Sequence, residues 1–331
     1  MNEIKQKNVN LCLDFLKGIG CVLVICIHVM FPGMLGNVLA VLGGYVVPLF
    51  FMISGYYAYD TDTKVTGEKL KRKIKHIADI TVKAFAVYLV FSLVKTVVDG
   101  EISMFQWLGS IAEPSYIAKM LLMQNFDRIC GFHLWFLPAL IYSYLFLYLI
   151  NQWQCYKYAY YCVLPLFILR CAASAVTDNW HFTGNFLLTG IPYILVGNYL
   201  ASNRDKLQEK LTERKVLLCL FAGFFGMLLG MYVLVLHVIQ TAGTTLFSVA
   251  LFVFAQKKPQ QYVSRTVVTI GQRYSLFIYI VHIMVYEIIK KTAAVFGFAE
   301  ALWYKYTVTT VVFFITLCFA WIFYKKVTVQ P

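Results

Sequence analysis

Charge is scarce in this chain. Only 14% of its 331 residues are Asp, Glu, Lys or Arg, where an ordinary soluble domain carries about 25%, and the acidic sign is rarer, 16 residues against 29 Lys and Arg. With 60% of residues hydrophobic, against about 45–50% in soluble domains, the composition excludes a soluble fold and predicts an all-α integral membrane protein. Apolar windows take up nearly all of residues 1–331, so one membrane domain and no separate soluble domain are expected. A Gly-rich phosphate loop and a Walker-type lysine motif are both missing, and nucleotide hydrolysis is not indicated. The nine cysteines lie almost all inside apolar segments without paired metal-type spacing, so neither a disulfide framework nor a metal site is expected. No solenoid repeat, low-complexity run or interdomain linker is present.

What the chain does contain is a series of membrane-length apolar windows. Ten spans are expected, over 11–31, 37–59, 76–98, 133–150, 156–177, 186–202, 215–237, 239–256, 267–289 and 304–324. The first follows a short polar start and lacks a small-residue cleavage site, so it is expected to be retained as the first helix. Residues 103–124 mix Trp107, Leu108 and Tyr116 with polar residues and Pro114, the pattern of an interfacial stretch rather than a span. With the N-terminus inside, cytoplasmic segments hold 19 Lys and Arg and the opposite side five, which predicts both termini in the cytoplasm. The net charge of +13 is then a topology signal and implies membrane lipids, not nucleic acid, as its partner.

Ionisable side chains inside a bilayer are costly and mark functional sites. The first span carries Asp14, Lys17 and His28. Eleven residues separate Lys17 from His28, which leaves them roughly 20° apart around a helix and about 16 Å apart along it. Asp14, three residues before Lys17, is placed to pair with its ammonium; the alternative is that both sit in the headgroup zone. Pro48, Ser54 and Gly55 in the second span fit either a bend beside a cavity or close helix packing. Lys69 to His76 is a dense basic run just before the third span, suited to anionic lipid or to a polyanionic cytosolic donor such as an acyl-coenzyme A. The fourth span opens with His133 and Trp135, and the ninth carries Arg273, Ser275, Tyr279 and His282, of which Ser275 and His282 share a face. Arg170 in the fifth span is either an outer-interface arginine or part of an anion site.

Four of these patterns, Leu13 to Gly18 with His28, Val47 to Tyr56, His133 to Leu137 and Tyr274 to His282, resemble the membrane-bound acyltransferase family 3, the bacterial integral-membrane O-acyltransferases. The likeness covers about residues 8–320, in order. It implies a bundle of about ten transmembrane helices in the bacterial cytoplasmic membrane. It also implies transfer of an acyl group, acetyl above all, from acyl-coenzyme A as co-substrate to a hydroxyl of an envelope glycan or lipid-linked sugar. On that resemblance His28 is the base or transient acyl carrier, and Asp14 and Lys17 act beside it at the donor side. Lys71, Arg72 and Lys75 then bind the donor, and His133, Trp135, Ser275, Tyr279 and His282 the acceptor. The family's first helix usually has Arg where this chain has Lys17, which keeps the charge but not the bidentate fork. Some relatives are fused to a serine racemase, so the alternative is a secondary transporter or exporter of a small polar molecule such as an amino acid.

Overall fold

The structure, a computed structural model, describes residues 9–100, 102–177, 179–231 and 237–328. Lys5, Lys7 and part of the expected 215–237 span lie outside them. In chain order the helices are α1 (Leu11–His28), α2 (Gly33–Gly43), α3 (Val46–Ala58), α4 (Thr63–Asp99), α5 (Met104–Ala112), α6 (Pro114–Met123), α7 (Phe136–Trp153), α8 (Tyr156–Tyr161), α9 (Val163–Val176), α10 (Trp180–Thr183), α11 (Ile191–Ser202), α12 (Arg204–Lys210), α13 (Glu213–Leu229), α14 (His237–Lys257), α15 (Arg265–Thr269), α16 (Ser275–Val295) and α17 (Leu302–Thr328). No strand occurs among the described residues.

Eight helical stretches among the described residues have the length and apolarity to cross a membrane: Leu11–His28, Gly33–Ala58, Thr63–Asp99, Phe132–Trp153, Tyr156–Val176, His237–Lys257, Arg265–Val295 and Leu302–Lys325. The remaining two expected segments are shorter. One joins a π turn, Phe186–Gly190, to α11; the other is α13, whose 17 residues begin with Glu213, Arg214 and Lys215. A helix needs about 20 predominantly apolar residues to cross the hydrocarbon core, so by length these two are marginal.

Local chemistry sets several boundaries. Asn10 caps α1 by accepting from Leu13 N at 2.9 Å, and Pro32 with Gly33 at φ 70° follows its end. Asp62 caps α4 by accepting from Lys64 N at 2.8 Å, and Gly100 at φ 67° stops it 37 residues later. At about 55 Å, α4 is longer than the bilayer is thick, so the basic run and the third span are one continuous helix. The 103–124 stretch is two short helices, α5 with a Ser103/Gln106 capping box and α6 started by Pro114.

The chain forms two compact units. The first comprises Met1–Val46, Leu211–Ala222 and Leu246–Pro331. Here α1 lies close against α15 and the π turn Ile270–Tyr274: a Cβ on Gly18 would collide with the Val267 carbonyl, and one on Gly271 with the Asp14 carbonyl. Asn10 Nδ2 donates to Ala255 O at 2.8 Å, and Thr309 Oγ1 donates to Val29 O at 2.7 Å, so both ends of α1 are tied down. Cys21, Ile25, Val29, Ile278, Val285, Val308 and Val312 pack as its core.

Because these backbones touch, Gly271→Val is expected to lower stability by about 2 kcal/mol or more through overpacking. Gly109→Ala, where an added Cβ meets nothing within 4 Å, is expected to be neutral or stabilising. Thermal unfolding of the purified variants checks both; equal melting points would show that the α1 contact yields without cost.

The second unit comprises Val47–Lys210 and Gly223–Thr245. Its α3 and α11 cross at two glycines, Gly55 against the Ile194 carbonyl and Gly197 against the Met52 carbonyl. Small residues allow such close approach in membrane helices, and the packing role open to Ser54-Gly55 is the one seen at Gly55. Tyr88, Phe51, Leu134, Leu137, Leu147 and Tyr193 are among its fully buried side chains.

Candidate active site

The first unit holds two groups of ionisable side chains at opposite ends of α1. At the start, Lys17 Nζ lies 2.6 Å from Asp14 Oδ1, with 19% and 13% of the two side chains exposed. Gln272 Nε2 donates to Asp14 Oδ2 at 2.8 Å. Gln272 comes from the π turn Ile270–Tyr274, whose extra residue per turn re-aims side chains that a regular helix would present elsewhere. The close approach of Gly18 and Gly271 brings the turn within reach.

At the other end, the rings of His28 and His282 have centroids 5.4 Å apart and planes 30° apart. His282 is fully buried, whereas His28, the last residue of α1, is half-buried. His282 Nδ1 is 2.8 Å from Tyr279 O and 3.0 Å from Ile278 O. A carbonyl can only accept, so Nδ1 carries the hydrogen and Nε2 is the basic nitrogen of the neutral ring. Lys17 and His28 are about 16 Å apart along the helix, so the carboxylate–ammonium pair and the imidazole pair are two separate centres. Ser275 Oγ donates to Gly271 O at 3.0 Å, Tyr279 is half-buried, and Arg273 is exposed.

The second unit holds the other expected residues. On α4, Lys71, Arg72 and Lys75 are exposed. Lys71 Nζ is 3.2 Å from Glu68 Oε1, and Arg72 Nε donates to Glu68 O at 3.3 Å. Two basic side chains of the run are half-buried, Lys69, paired with Asp60 at 2.8 Å, and Lys73, with its Nζ 5.6 Å from the centre of the Tyr144 ring. Helical period explains this: Thr66, Leu70 and Lys73 follow one another along one face, and Thr66 and Leu70 are buried. His133 is 1% exposed, with Nε2 3.4 Å from Tyr88 Oη.

Trp135 is half-buried and its ring lies 6.0 Å from that of Trp180. Trp180 in turn covers His181 at 3.9 Å between ring centres. His181 Nε2 is 3.0 Å from Asp127 Oδ2 and 3.2 Å from Asn125 Nδ2, and Gln124 Oε1 accepts from Phe186 N at 3.0 Å. No motif signals this group; it arises because loops 54 residues apart meet. Glu113 at the head of α6 pairs with Arg128 at 2.7 Å, and the Ser115 hydroxyl and this guanidinium hold its carboxyl below the usual carboxylate range.

The eight membrane-length helices define a multi-pass membrane protein, helical throughout its described residues, whose first unit carries a paired imidazole centre and a carboxylate–ammonium pair. An acyltransferase domain model, that of acyltransferase family 3, matches residues 10–325, and the chain belongs to that family. It is a membrane acyltransferase. No curated protein and no solved structure matches the chain.

Proposed function

We propose that this protein transfers an acetyl group from cytosolic acetyl-coenzyme A to a hydroxyl of an envelope glycan or lipid-linked sugar, in the bacterial cytoplasmic membrane. The observation that carries this reading is the His28–His282 pair, in which a half-buried imidazole abuts a second one whose tautomer is set by two backbone carbonyls. His28 takes the proton of the acceptor hydroxyl as its oxygen attacks the thioester carbonyl. The new C–O bond forms, the C–S bond breaks, and the coenzyme A thiolate leaves. His282, held through Nδ1 by the Tyr279 and Ile278 carbonyls, is the fixed ring against which His28 is placed.

The exposed Lys71, Arg72 and Lys75 supply a cationic helix face for the phosphates of the donor. Asp14, Lys17 and Gln272 form a fixed polar centre for the donor end of the path. The Trp135–Trp180 surface, with Asp127 and Asn125 beside it, presents an aromatic face and hydrogen-bonding groups to a sugar ring.

Alkali-released acetate and envelope-glycan masses, compared between cells with and without the gene, test the reading. The expected result is a glycan heavier by one acetyl group, and extra released acetate, only where the gene is present. Identical profiles for all acyl groups, together with solute uptake that needs no acyl donor, would replace it with transport.

A further inference from the structure

Arg170 is the one charged residue of the stretch Tyr156–Val176 beyond Lys157. It lies six residues before the end of α9, about 9 Å in. Its partners lie no shallower in their own helices: Tyr193 is seven residues into Phe186–Ser202 and Thr245 eight residues into α14, about 10–12 Å. An arginine that only reaches for the headgroup zone extends towards its helix end. This one is held sideways, with Nη1 3.2 Å from Tyr193 Oη and 3.5 Å from Thr245 Oγ1, and the guanidinium 5.7 Å from the centre of the Tyr193 ring.

Both partners are neutral, and their own hydrogens are committed elsewhere. Thr245 Oγ1 donates to Thr241 O at 2.9 Å, and Tyr193 Oη lies 2.8 Å from Thr245 Oγ1. The two hydroxyls orient Nη1 and leave its positive charge uncompensated. Nε is shielded from solvent and meets no acceptor among the described residues, and Nη2 makes no hydrogen bond to them either. Nε and Nη2 form one edge of the guanidinium, with parallel N–H groups spaced for two oxygens of a carboxylate or phosphate. A membrane-embedded cation whose bidentate edge is unmatched is costly unless an anion completes it.

We propose that Arg170, oriented by Tyr193 and Thr245, is a binding site for one two-oxygen anion, a phosphate or carboxylate, on a ligand that enters the membrane at the Val176 end of α9. This assignment does not rest on acyl transfer and concerns none of the residues placed in that reaction.

The test is thermal unfolding of the full chain in dodecyl maltoside at constant ionic strength. The probes are sodium phosphate, sodium acetate, or micelles containing dioleoyl phosphatidic acid. The expected result is an upward shift of several degrees for the natural protein with at least one probe. Arg170→Gln abolishes the shift without lowering the ligand-free melting point, and Arg170→Lys weakens the apparent affinity about tenfold, since an ammonium keeps the charge and loses the fork. A shift with phosphate or acetate assigns a free anion or acceptor group, and one with phosphatidic acid alone assigns a lipid headgroup.

No shift with any probe, or an equal shift in Arg170→Gln, overturns the site. So does a ligand-free melting point clearly lowered by Arg170→Gln, which marks an internal partner and not a ligand site. If Arg170→Gln is not recovered folded, full affinity in Arg170→Lys overturns it.

Discussion

Replacing His28 by Ala is expected to lower acyl transfer by roughly 10²–10⁴-fold, the usual contribution of a positioned general base. The loss should fall on kcat, with the KM for acetyl-coenzyme A little changed, because the imidazole acts on the acceptor's proton and not on donor binding. The fold should survive. His28 is the half-buried last residue of α1, and the helix end remains tied by the Thr309 hydroxyl on Val29 O.

His282→Asn is expected to fall between the natural enzyme and His28→Ala, since it leaves the base in place and removes the neighbour 5.4 Å away. Transfer rates measured with purified protein at equal amounts check both variants. If His28→Ala retained most of its kcat, the imidazole pair would not be the catalytic centre.

Asp14→Ala is the second large effect, and it falls on stability. The change leaves the Lys17 ammonium, 19% exposed, without a counter-charge and the Gln272 amide without its acceptor. Breaking one side of a buried pair costs about 3–5 kcal/mol; with this much exposure, a loss of about 2–3 kcal/mol is expected. The double variant Asp14→Asn/Lys17→Gln should recover most of it, because neither partner is then left charged and unmatched. A double-mutant cycle by thermal unfolding should give a coupling of about 1–3 kcal/mol. Additive losses from the two single variants would mean that the pair, despite its 2.6 Å separation, contributes nothing as a pair.

The first helix shows how far local reasoning reaches. The apolar window 11–31 and the helix Leu11–His28 share their start, where Asn10 caps the backbone. They part at the end, because Pro32 and Gly33 turn the chain before the apolar run does. The third window, 76–98, finds the apolar part of α4 and misses that the basic run before it continues the same helix. Nothing between Lys75 and His76 breaks a helix, whereas hydropathy changes sharply there. Of the basic residues, Lys71, Arg72 and Lys75 are exposed and Lys69 and Lys73 are half-buried; that choice follows from which face of α4 packs, which composition does not encode.

By itself the sequence determined that the chain is helical and membrane-borne, where most spans lie, and which rare ionisable residues could carry chemistry. Each of those depends on composition and short-range period, which are properties of neighbouring residues. Only the tertiary structure decided who meets whom. It placed His28 against His282, Gln272 on Asp14, His181 on Asp127, and Arg170 between two hydroxyls. All four meetings bring together residues more than 50 positions apart, and the approach at Gly18 and Gly271 is set by backbone contact. Such pairings come from packing between distant helices, so no window along the chain contains them.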